Sequence, residues 1–125
     1  MKRSLKERWV KALRSGTRKQ GRNKLKIISF FDDEDRYCCL GVLADITHPS
    51  WWEGEKWHLS LEIQNKYSAT MLHGSPNREG ALGYAMLKEF GLHAGLERDL
   101  ISLNDNGESF EEIASWIEEH VPVED

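Results

Sequence analysis

No apolar run in this sequence approaches the ~20 residues that a membrane-crossing helix needs, and Met1-Lys2-Arg3-Ser4-Leu5 leads into charged residues rather than the apolar core of a signal peptide. The expectation is a cytoplasmic protein with no membrane partner. Cysteine is scarce. Cys38 and Cys39 are adjacent, and neighbouring cysteines close a ring only with strained geometry. In an apolar run they read as reduced, buried thiols, small hydrophobes rather than a redox pair. Neither has a Cys or His at finger-like spacing, which argues against structural zinc, and no metal or cofactor is expected. Gly16 and Gly21 lack the Gly-Lys-Ser/Thr of a phosphate loop, and neither a His-Glu-x-x-His helix nor a nucleophile elbow occurs. No internal repeat or low-complexity linker divides the 125 residues. They read as one domain, 1–125, long enough to bury roughly two thirds of its unfolded surface.

What the chain does have is polarised charge. The net charge of −4 combines +10 over Met1 to Lys26 with −14 over the remainder. Such a chain either pairs its halves or presents a basic face to something anionic. The stretch Tyr37-Cys38-Cys39-Leu40-Gly41-Val42-Leu43-Ala44-Asp45-Ile46 is apolar on nearly every side, so the rest of the domain must enclose it. A short central helix over Cys39 to Ile46 fits, with a buried strand as the alternative.

Ser4-Leu5-Lys6-Glu7 reads as a capping box opening a helix from Leu5 to Arg14, with Leu5, Trp9, Ala12 and Leu13 on one stripe and Lys6, Arg8, Lys11 and Arg14 outward. Thr17 to Lys24 is a polar loop. Leu25 to Phe31 reads as a strand, Asp32 to Asp35 as a turn, and Arg36 to Cys38 as a return strand. Alternation from Trp57 to Gln64 predicts a half-buried strand, with Asn65-Lys66 as the turn and Tyr67 to Met71 as its partner. Ser75-Pro76 opens a helix to Phe90, closed by Gly91-Leu92. A helix follows over Ala94 to Leu103. Asn104-Asp105-Asn106-Gly107 is a turn, and Ser109-Phe110-Glu111-Glu112 is a second capping box, opening an acidic-faced helix that Pro122 ends. The fold class is α+β: a compact single domain with N- and C-terminal helices, a buried central segment and at least one antiparallel β-hairpin.

Three stretches carry a resemblance: Arg8-Trp9-Val10-Lys11-Ala12-Leu13-Arg14-Ser15-Gly16 followed by Gln20-Gly21, Tyr37 to Asp45, and Leu103-Asn104-Asp105-Asn106-Gly107-Glu108-Ser109-Phe110-Glu111-Glu112-Ile113-Ala114. Together they resemble a family of small, mostly uncharacterised accessory proteins encoded by tailed phages and prophages. The stretch 51–90 is unlike that family and reads as an insertion containing a β-hairpin. The resemblance implies a viral protein in the cytoplasm of a bacterial host. It supplies no activity and no catalytic residues.

The basic segment is the leading candidate site. A loop mixing Gly, Gln, Arg and Lys suits phosphate, held by charge-assisted bonds and backbone N–H groups. The expectation is a non-catalytic accessory binding protein that grips an anionic partner, a nucleotide or cyclic nucleotide sequestered to counter host defence, or a host protein. Arg14, Arg18, Lys19, Gln20, Arg22 and Lys24 are the residues proposed to bind, with Trp9 or Trp51 as a stacking partner. Nucleic-acid binding, inhibition of a host protein and a small nucleotide hydrolase are the alternatives, and homodimerisation through opposite-charge faces is a further expectation. Asp45, His48, Glu53, Glu55, His58 and His73 offer acids and bases without a recognisable spacing. For Asn104-Asp105 a turn with a helix cap explains the pair more simply than catalysis does.

Overall fold

The computed structural model describes residues 1–68, 72 and 75–124. Among them, six α-helices and two small three-stranded sheets make up an α+β architecture with helices near both ends. Helix α1 (Arg3–Arg14) buries Trp9, Val10 and Leu13 and packs on α2 (Cys39–Thr47) and α6 (Phe110–His120), while α2 also packs on α5 (Ala94–Asp105). Cys39, Leu40, Gly41, Val42, Leu43 and Ala44 are all buried. The apolar central stretch is therefore the helix around which the others assemble.

The capping box at Ser109 forms as the sequence predicts, Ser109 Oγ accepting from Glu112 N at 3.1 Å and Glu112 Oε1 accepting from Ser109 N at 3.2 Å. The one expected at Ser4 does not. Helix α1 begins at Arg3 with Lys2 as an N-cap that makes no side-chain bond. Its start is fixed instead by Met1, whose side chain is buried and whose ammonium donates to Gly91 O at 3.1 Å and Pro122 O at 3.3 Å.

In the first sheet β1 (Lys19–Gln20) runs parallel to β3 (Arg36–Tyr37), which pairs antiparallel with β2 (Lys26–Ile27) in the register Lys26 to Tyr37. The strand expected over Leu25 to Phe31 is thus cut to two residues. Beyond it the chain leaves the sheet, and Phe30 and Phe31 are 90% and 100% exposed.

The second sheet corrects the reading of 57–71. Strand β5 (Lys56–His58) pairs antiparallel with β4 (Trp52–Glu53) on one side and β6 (Asn77–Arg78) on the other. The chain then turns into α3 (Leu61–Lys66), N-capped by Ser60 Oγ, which accepts from Ile63 N at 3.3 Å. Leu59, Ile63 and Tyr67 are buried while Leu61 is exposed, so an i, i+4 helical spacing prevails over the apparent alternation. Asn65-Lys66 lies in that helix rather than in a turn, and positions 69–71 of the expected partner strand lie outside the described residues.

The helix expected from Pro76 is only α4 (Tyr84–Phe90), because Asn77–Arg78 is claimed by the sheet and Gly83 at φ +82° precedes the helix. Gly91 closes α4 in the left-handed conformation, with Leu92 N donating to Leu87 O at 2.8 Å, the predicted C-cap. Helix α5 runs past Leu103 to Asp105, so Asn104 is helical and the turn falls on Asn106-Gly107.

Candidate functional site

Four of the five cations proposed to bind, Arg14, Arg18, Lys19 and Lys24, meet carboxylates of the same chain, each on a different element. Arg14 donates to Glu111 Oε1 at 3.1 Å, Glu118 Oε1 at 2.6 Å and Ser115 Oγ at 3.0 Å, clasping α1 to α6. The hydrogen bond from Arg14 holds Glu118 below the usual carboxylate range. Arg18 reaches Asp45 in α2 at 2.9 Å. Lys19 lies 3.2 Å from Asp32 and 2.7 Å from Glu34 in the loop after β2. Lys24 lies 2.7 Å from Glu55 between β4 and β5. The exposed pairs among these are screened by water and hold weakly, while Arg18 and Asp45, 24% and 18% exposed, are better shielded. Direction is the greater obstacle to the loop site, because these cations diverge toward α6, α2, the loop after β2 and the second sheet.

The other proposed residues sort the same way. Gln20 Nε2 donates to Asn104 Oδ1 at 2.9 Å and Glu108 O at 2.7 Å, a tie between β1 and the C-terminal half. Gly21 is buried and its N–H is spent on Tyr37 O at 2.8 Å. Arg22 is exposed and forms no ion pair among the described residues. Trp9 is corrected outright: it is fully buried, its Nε1 donating to Cys39 O at 2.9 Å, and no ligand can stack on it. Trp51 is half-buried with one face taken by His48, stacked at 3.8 Å and 6°.

Three of the candidate acids and bases, Asp45, Glu55 and His58, are likewise occupied. Asp45 also accepts from Trp52 Nε1 at 3.0 Å, Glu55 from Ile28 N at 2.9 Å, and His58 Nδ1 sits 2.6 Å from Asn77 Oδ1. Burial lowers His48. Glu53 is exposed, and His73 lies outside the described residues. Burial pushes the Cys38 thiol up to about 11 and Cys39 well above its ordinary value, so neither supplies a thiolate nucleophile near neutral pH. No group of three or more His, Cys, Asp or Glu able to hold a metal occurs among the described residues. None of the helices described is long and apolar enough to cross a membrane.

What the basic segment does build is a groove between α1 and the C-terminal end of the chain. It has a volume of about 630 Å³, is floored in part by Val10 and Val123, and is rimmed by Arg3, Lys6, Lys11 and Arg14, with Glu7 and Glu118 also in its lining. Lys6 Nζ donates to Glu118 O in α6 at 3.0 Å and to Val121 O just after it at 2.6 Å, satisfying acceptors that a helix C-terminus leaves open. Lys11, five residues on, is exposed and makes no ion pair among the described residues. Lys11 also borders a second hollow of about 510 Å³, shared with Arg8 and Arg18.

Of the residues proposed to bind, Arg14 lies in this lining, together with Lys11, which the sequence placed on the same outward stripe of α1 but not among the binding residues.

Residues 1–121 match the profile of the family described as Domain of unknown function (DUF8296). The chain belongs to this family. No curated protein and no solved structure matches the chain. The DUF8296 match spans both helices that line the groove, α1 and α6. Val123 lies just beyond it.

Proposed function

We propose that this DUF8296 chain is a non-catalytic binding protein that grips an anionic partner along the outward face of α1, with Lys11 as the principal free cation. The observation that carries this reading is the groove itself: apolar surface at its base, four cations around it, and Lys11 uncommitted. Such a combination suits a ligand with a flat apolar body and a phosphate or carboxylate, since burial of the body supplies affinity and the cations fix its orientation. A nucleotide or cyclic nucleotide has that chemistry. The resemblance to phage and prophage accessory proteins supplies the setting, the cytoplasm of a bacterial host, and with it a role in countering host defence by sequestration.

The reading is tested by thermal melting of the protein with a nucleoside triphosphate, a cyclic dinucleotide and a short DNA duplex. A ligand at a hundred times its dissociation constant adds about 2.7 kcal/mol, so the melting temperature rises by several degrees. Lys11→Glu removes that rise and Arg22→Glu leaves it intact. Were duplex DNA the partner, its affinity would fall steeply with salt. If no anion shifts the melting temperature, or if Arg22→Glu abolishes the shift while Lys11→Glu spares it, the proposal fails.

A further inference from the structure

The most exposed large apolar side chains among the described residues are not in the groove. Phe30 and Phe31 stand 90% and 100% exposed in the loop between β2 and β3, followed by Asp32, Asp33, Glu34 and Asp35. Single exposed apolar residues need no explanation, but two adjacent phenylalanines held in water are a patch with a use. The loop holds them out with several bonds. Ser29 Oγ accepts from Phe31 N at 3.2 Å and Asp32 N at 3.3 Å, Asp32 Oδ1 accepts from Glu34 N at 3.2 Å, and Asp32 Oδ2 is clasped by Lys19 at 3.2 Å and Arg36 at 2.8 Å. A tip ordered in advance loses little entropy on docking.

An occupant for this tip must offer apolar surface with positive charge around it, because Asp33 is exposed and makes no ion pair among the described residues. The α1 groove has that chemistry. We propose that the Phe30-Phe31 tip of one copy docks in the α1 groove of a second copy, the aromatic rings toward Val10 and Val123 and Asp33 against Lys11. This rests on the reading of the groove as the anion-binding surface and names one occupant for it. Two phenylalanine side chains bury ~300–500 Å², well under the ~800 Å² per partner of a standard stable interface. The contact is therefore weak and reversible. It is also heterologous, tip to groove, so each pair retains one free tip and one free groove and the assembly grows or closes into a ring.

The test is light-scattering mass across concentration at low salt, for the wild type, Phe30→Ser/Phe31→Ser and Lys11→Glu. All three altered side chains are exposed, so far-ultraviolet circular dichroism should be common to the three proteins. The wild-type mass rises above the one-chain value of 14.5 kDa, and each variant weakens association at least about tenfold. Mixing the two variants restores association that stops at one pair, because the first retains a working groove and the second a working tip. A wild-type mass that stays at one chain throughout, variants that associate like the wild type, or a mixture that stays monomeric would each overturn self-docking. Melting the Phe30→Ser/Phe31→Ser protein with a nucleoside triphosphate separates the two readings: a shift in a chain whose wild type never associates leaves the groove proposal standing and removes only this one.

Discussion

Gly41→Ala is expected to prevent folding or to cost well over the ~1–3 kcal/mol that overpacking a core usually does. Helix propensity alone predicts the opposite, since alanine is favoured over glycine in a helix interior by ~1 kcal/mol. Gly41 is the third residue of α2, and a Cβ there would collide with Leu25 O and lie 2.6 Å from Leu25 C. Those atoms are backbone, and they are pinned. Leu25 N donates to Glu79 O at 2.6 Å, Leu25 O accepts from Cys38 N at 3.2 Å, and its side chain is fully buried. Accommodation would require the segment leading into β2 to lift off α2. Against a total stability of ~5–15 kcal/mol, urea unfolding should find Gly41→Ala unfolded or with a midpoint far below wild type. Gly95→Ala in α5, whose Cβ would meet nothing closer than His93 Nδ1 at 3.6 Å, should unfold close to wild type. Equal midpoints for Gly41→Ala and wild type would refute the close approach.

Asn104→Leu should rank next, at about 2–6 kcal/mol, from two buried groups left unpaired at ~1–3 kcal/mol each. The Asn104 amide is fully buried and joins three segments. Its Oδ1 accepts from Cys39 N at 3.2 Å and Gln20 Nε2 at 2.9 Å, and its Nδ2 donates to Gly21 O at 2.7 Å. Leucine keeps the volume and strands both the first-turn N–H of α2 and the Gly21 carbonyl. Gln20→Ala removes one of these bonds at the rim and should cost much less, so the ratio of the two effects, read from chemical denaturation, reports whether the amide is a strut. Similar small losses for both would show that water substitutes for it.

These two residues illustrate what the sequence made legible. Helix α2 was readable because its residues are apolar on every side, and α6 because Ser109 and Glu112 cap it locally. The 59–67 stretch was not, because Leu59, Leu61 and Ile63 satisfy a period of two as well as one helical turn, and only the exposure of Leu61 decides between them. Asn104 read as a turn residue because asparagine bonds its own backbone in turns, yet its partners lie 65 and 84 positions away in the chain. The charges failed for the same reason. Arg14 and Glu118 are separated by 104 positions, and no local pattern announces such a pair. The choice between a free basic face and a paired one divides by residue: Arg14, Arg18, Lys19 and Lys24 pair inside the molecule, while Lys11 and Arg22 make no ion pair among the described residues. The two exposed phenylalanines were hidden by their own propensity, since aromatic residues after Ile27 and Ile28 read as the continuation of a strand.

The most direct test of the central claim is to follow backbone amide shifts by nuclear magnetic resonance while the protein is titrated with the anionic compound that raises its melting temperature most. The account predicts saturable perturbations concentrated on Lys6, Val10, Lys11, Ser15 and Val123, along the outward side of the first helix. Perturbations concentrated instead on Thr17 to Lys24, or spread evenly over the surface without saturation, would contradict it.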